Sequence, residues 1–138
     1  MRLLLIILFL ALFSPIQTVS LKVVPIPISE AVNPFESIIR AIVTVESGND
    51  NLAHNISEDS RGAFQIRKIR IDDFNNRTGK SYTHDQCFDY EISKQIFLYY
   101  ASQIGPGNID KIIMRWNGKG KMAEEYLKKV KKHLDILQ

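Results

Sequence analysis

The stretch IIRAIVTVESGND, residues 38–50, carries an apolar helical pattern into a single acid, Glu46, and then a glycine. Glu46 lies four residues after Ile42 and seven after Ile39. On a helix that spacing puts all three on one face, and the face is apolar. A solvated acid has no need of such a position. Removal from water disfavours a charged carboxylate and raises its pKa. The negative end of a helix raises it further. Both effects favour a carboxyl that keeps its proton near neutral pH, as a general acid must. The competing assignment is a buried glutamate satisfied by a backbone or side-chain partner.

Three further polar residues sit against apolar neighbours. RGAFQI, residues 61–66, is a tight turn that sets Gln65 between Phe64 and Ile66. RWNGKG, residues 115–120, sets Asn117 at a helix end beside an aromatic ring. Tyr126 shares the apolar face of the last helical pattern with Met122 and Val130. Each has an ordinary structural explanation: a side chain at the core edge, a helix cap, a core tyrosine. Their order along the chain is more specific. An acid in ES, then G-x-x-Q, then N-G, then a tyrosine resembles the lytic transglycosylases that cleave bacterial peptidoglycan, the soluble-type group with a goose-lysozyme-like fold. The resemblance spans residues 34–132. ES matches Glu46-Ser47, the family's GLMQ matches Gly62-Ala63-Phe64-Gln65, and its YNGG-like motif matches Trp116-Asn117-Gly118-Lys119. Its late tyrosine matches Tyr126. Ala63 and Phe64 stand where the family has Leu and Met, Trp116 stands for Tyr, and Lys119 stands for Gly.

The resemblance implies roles. Glu46 would be the single acid/base, and Gln65 and Asn117 would bind sugar and shape the cleft. Tyr126 would hydrogen-bond near Glu46, and Ser47 would contact substrate. Ordinary glycosidases use two carboxylates. Here one glutamate would protonate the bond between N-acetylmuramic acid and N-acetylglucosamine and then help close a 1,6-anhydro ring. A hydrolytic rival needs a second acid, and Glu58 and Asp59 in the following loop are the suspects. A catalytically inactive cell-wall binding module on the same fold is the other alternative.

These residues need helices to hold them. Asn33-Pro34 opens the first, with Glu36 three residues after the cap, and Gly48 closes it. Residues 49–63 read as loop. A helix or turn near 67–76 carries Ile69 and Phe74 and ends at Gly79. Thr83 with Gln86 forms a capping box. Helical spacing then covers about 90–103, a short helix capped by Asn108 and reaching Trp116, and a last helix over about 121–136. The expected class is mainly α, a single compact lysozyme-like helical domain over residues 34–138, after an extended lead-in at 21–33.

The first 20 residues have the layout of a secretory signal peptide: Arg2, the apolar run LLLIILFLALF, then SPIQTVS. An uncleaved N-terminal anchor is the rival. Either way the expected location is exported, periplasmic or extracellular. The remaining chain of about 118 residues can bury an ordinary core without staples. It must, because Cys87 is the sole cysteine. Cys87 reads as a buried small hydrophobe rather than a catalytic thiol. A net charge of +3 is too small to argue for nucleic acid. Between Lys111 and Lys132 eight basic residues face two acids, which fits a solvated helix face better than an anionic-polymer site. His54, His84 and His133 lack metal-ligand spacing, and GKGKM lacks the pattern of a phosphate loop. The expected partner is the peptidoglycan glycan strand, met by a monomer with no cofactor, no metal and no stable membrane insertion after leader removal.

Overall fold

A computed structural model describes residues 33–136. The leader expected at residues 1–20, nearly all of the lead-in, and residues 137–138 of the expected domain lie outside the described residues. What is described is mainly α: five helices and one small sheet. Among the described residues no helix is long and apolar enough to cross a membrane.

Helix α1, Glu36–Ser47, begins slightly later than its sequence signals suggest. Asn33 does act at the start, since its Oδ1 accepts from Phe35 N–H at 3.0 Å and its carbonyl accepts from Glu36 N–H. The Asn-Pro pair makes a turn that feeds the helix. Ile38, Ile39, Ala41 and Ile42 are then fully buried. Burial of each isoleucine contributes roughly 1.5–3 kcal/mol relative to exposure, so α1 is the central element of the core.

Residues 49–63, expected as loop, contain most of a sheet. Strands β1 (His54–Asn55), β2 (Ser60–Arg61) and β3 (Ile66–Arg67) pair antiparallel in that order. Ser60 opposes Arg67 and Arg61 opposes Ile66. Each strand is two residues long, too short for an alternating pattern to register. The sheet is held by turns and by side chains rather than by its ladder alone. Arg61 binds Asp59 at 2.9 Å and reaches Asp85 in the 3₁₀ turn His84–Phe88.

Helix α2 (Lys68–Thr78) buries Ile71 and Phe74, not Ile69. Gly79 closes it in the left-handed conformation, as expected. The Thr83–Gln86 box forms, with Gln86 Oε1 accepting from Thr83 N–H at 2.8 Å. Helix α3 (Tyr90–Ser102) is capped by Asp89, which accepts from Ile92 N–H. Helix α4 (Ile109–Asn117) is capped by Asn108 through Lys111 N–H at 3.3 Å. Helix α5 (Lys121–Ile136) packs on α1 and α4 through Ala123, Tyr126 and Val130. Phe64, Phe97 and Trp116 complete the core as an aromatic cluster. Phe97 stacks on Phe64 at 5.5 Å and meets the Trp116 ring edge-on at 5.1 Å.

Candidate active site

Glu46 sits in the last turn of α1. Gly48 ends that helix at φ 64°, and the N–H groups of Gly48 and Asn49 turn back to the carbonyls of Thr44 and Val43. Glu46 is half-buried and lines a cleft. Tyr126 Oη donates to Glu46 Oε1 at 2.6 Å, across 80 residues of sequence. Burial holds the Glu46 pKa above the ordinary value of 4.5. The Tyr126 bond and the positive charges of Arg70 and Arg67 pull against that rise, and Glu58 adds to it. The Tyr126 phenol is itself pushed far up, first by burial and then by Glu46, so it stays a donor. The upward direction expected from helical spacing is thus the one found, with burial as its first cause.

The turn from Gly62 to Gln65 brings Gln65 to the same cleft as Glu46. Gln65 N–H donates to Gly62 carbonyl at 3.0 Å, and Gln65 itself sits at φ 47°. A non-glycine residue held there costs about 1–3 kcal/mol. Its side chain supplies the compensation. Gln65 Nε2 donates to the carbonyls of Ala53 and Gly62 at 3.2 and 2.9 Å, and Oε1 accepts from Ser60 at 2.8 Å. The amide hydrogens are thus committed to the turn. Only Oε1, with a second lone pair, can still accept from a sugar hydroxyl. Gly62 is needed on two counts. It adopts φ 77°, and a Cβ built there would overlap the carbonyl of Cys87.

Glu46, Gln65 and Asn117 line one cleft of about 520 Å³, within the usual range for small-ligand clefts. Ser47 does not line it: its hydroxyl bonds back to the Val43 carbonyl at 3.1 Å. Tyr126 stands behind Glu46 rather than on the cleft wall. The sequence reading missed several cleft residues. Ser60 is buried and anchors Gln65. Arg67 and Arg70 bring positive charge to the wall, and Lys119 adds another cation. Arg70 lies over the Trp116 ring at 4.2 Å and donates to the Trp116 carbonyl at 2.7 Å. Arg67 and Arg70, three residues apart where α2 begins, were the available signal. Ile69 and Met122 are 78% and 75% exposed and both line the cleft. Met122 thus leaves the core face that its helical spacing assigns it.

The two suspects for a second acid separate. Glu58 lines the cleft and pairs with Arg67 at 3.2 Å. Asp59 is absent from the lining. It is bonded to His54 and Arg61, and these hold its carboxyl below the usual range, His54 first. Cys87 is buried and its thiol is pushed up to about 12, chiefly by desolvation, which suits a core side chain. No group of three or more metal-ligating side chains occurs among the described residues. No family model, curated protein or solved structure matches this chain.

Proposed function

We propose that this protein is a peptidoglycan lytic transglycosylase, exported by the apolar leader read from its sequence. One observation carries the reading: half-buried Glu46, held by the Tyr126 hydroxyl at 2.6 Å, lines one cleft with the amides of Gln65 and Asn117. The order of ES, G-x-x-Q, N-G and tyrosine along the chain supports it independently.

Glu46, protonated, would deliver its proton to the oxygen linking C1 of N-acetylmuramic acid to C4 of N-acetylglucosamine. The C1–O bond breaks, and positive charge develops at C1. The N-acetyl oxygen of the muramic acid stabilises that centre. The Glu46 carboxylate then takes the proton of the C6 hydroxyl while O6 bonds to C1. The acid is regenerated, the product is a 1,6-anhydro sugar, and no water is consumed. Arg70 and Arg67 face the anionic stage of Glu46, and Tyr126 donates to it, so the carboxylate that must exist mid-reaction is also supported. Gln65 Oε1 and the Asn117 amide would hold sugar hydroxyls.

Glu58 on the same cleft supports a second reading, hydrolysis by a water that this acid activates. The two readings differ in product. Purified sacculi treated with the protein should release anhydro-muropeptides, identified by mass spectrometry. Glu46→Gln should lower release at least about a thousandfold, as expected for loss of the acid and base together. Reducing ends lost in Glu58→Gln would establish the hydrolase instead. Equal clearing by wild type and Glu46→Gln would refute both and favour a binding module.

A further inference from the structure

Next to the cleft lies a second cavity of about 380 Å³, between α2, α3 and α4. It shares Ile69, Arg70 and Trp116 with the first, so the two recesses adjoin across these three side chains. Its charge is lopsided. Three guanidinium groups, Arg70, Arg77 and Arg115, face one carboxylate, Asp73. Asp73 is already occupied: Arg77 donates to it at 2.8 Å and Tyr100 Oη at 2.7 Å. Arg70 is spent on the Trp116 ring and carbonyl. Arg115 is different: neither it nor Arg70 forms an ion pair among the described residues, but Arg70 is held by Trp116, whereas the Arg115 guanidinium has no side-chain hydrogen bond or aromatic contact there. Phe97 and Ile112 give the chamber an apolar floor. An apolar recess with an excess of two positive charges and one guanidinium free of any partner among the described residues is complementary to a carboxylate on an aliphatic chain.

Two adjoining recesses fit a branched ligand. The substrate class proposed above is branched in this way, because each muramic acid bears a peptide with free carboxylates. We propose that the second cavity binds a carboxylate of that peptide stem while the glycan lies along Glu46, with Arg115 as the principal contact. This rests on the transglycosylase reading for the identity of the ligand. The cavity, its charge and its shared side chains do not depend on that reading.

Trp116 is the single tryptophan of the chain and lines both chambers, so its fluorescence reports directly on occupancy. The probe is the free tripeptide L-alanyl-D-isoglutamyl-L-lysine, with its fully amidated form as control. The acid form should quench or shift Trp116 saturably, and the amide should not. Arg115→Gln should weaken binding about tenfold or more, the usual scale for one charge-assisted contact, and Arg115→Lys should restore part of it. Arg115 is exposed and does not line the glycan cleft, so the variant should still cleave strands stripped of peptide at the wild-type rate. On peptide-bearing strands its kcat/KM should fall. Equal titrations with acid and amide, or with wild type and Arg115→Gln, would overturn the proposal. So would an unchanged ratio of peptide-bearing to stripped-strand cleavage while anhydro products are still formed. Absence of anhydro products from wild type would sink the transglycosylase reading alone, because the titration still decides the cavity.

Discussion

Glu46 is the residue at which opposing forces can be weighed. Burial and the end of α1 favour its neutral form, and the Tyr126 hydroxyl with two arginines favours its anion. The net direction is upward from 4.5, and that direction has a consequence for folding. A free glutamate in the unfolded chain loses its proton near the ordinary value, while the folded chain holds it longer. Between those two values the folded state binds more protons than the unfolded state. Stability therefore falls as pH rises through the window, and stays lower above it. Glutamine cannot titrate and keeps an oxygen for Tyr126. Glu46→Gln should thus unfold at a higher temperature than wild type at pH 7, and the gap should close below pH 4.5. Paired thermal melts at the two pH values test this. A wild type more stable than the variant at neutral pH would mean that the Tyr126 bond and the two arginines outweigh burial.

The helices were legible because local rules set them. Asn108 caps, Gly48 and Gly79 terminate, and the isoleucines of α1 repeat at helical spacing, while the Asp89 cap of α3 showed only in the structure. The sheet was not legible, since two-residue strands carry no periodicity and their pairing depends on turns. The turn that matters most is the one from Gly62 to Gln65. The glycine was visible as a motif letter, but its physical reason lies 25 residues away, at the Cys87 carbonyl. Gln65 likewise looked like a sugar ligand, while its amide hydrogens serve the Ala53 and Gly62 carbonyls. Gly62→Ala combines a left-handed backbone with a collision against main chain, which a rotamer change cannot relieve. It should lower stability by about 3 kcal/mol or more and displace Gln65 from the cleft. Chemical denaturation measures the first effect. A variant within about 0.5 kcal/mol of wild type would show that the turn can move.

At the scale of the whole molecule the site is assembled by docking α5 on α1. Glu46 and Tyr126 could each be picked out from their own helical face, but only the packed core brings them to 2.6 Å. The junction of the two recesses is equally non-local: Arg70 on α2 covers Trp116 on α4, a contact with no local sequence signature. Val130 lies one turn beyond Tyr126, is fully buried, and helps seat α5. Val130→Ala leaves a small void and should lower stability by about 1–3 kcal/mol. It should do more than that if the seat of α5 positions Tyr126. The Tyr126 bond pulls the Glu46 pKa down, so a looser bond lets that pKa rise. In the proposed reaction the protonated acid would then persist to higher pH, and the alkaline limb of the pH–rate profile should move upward. Leu134→Ala, on the same helix but two turns past Tyr126 and only half-buried, supplies the control. It should lower stability without moving the limb. If both variants leave the limb where wild type has it, Tyr126 keeps its grip on Glu46 independently of how α5 packs, and the link from core packing to proton affinity is broken.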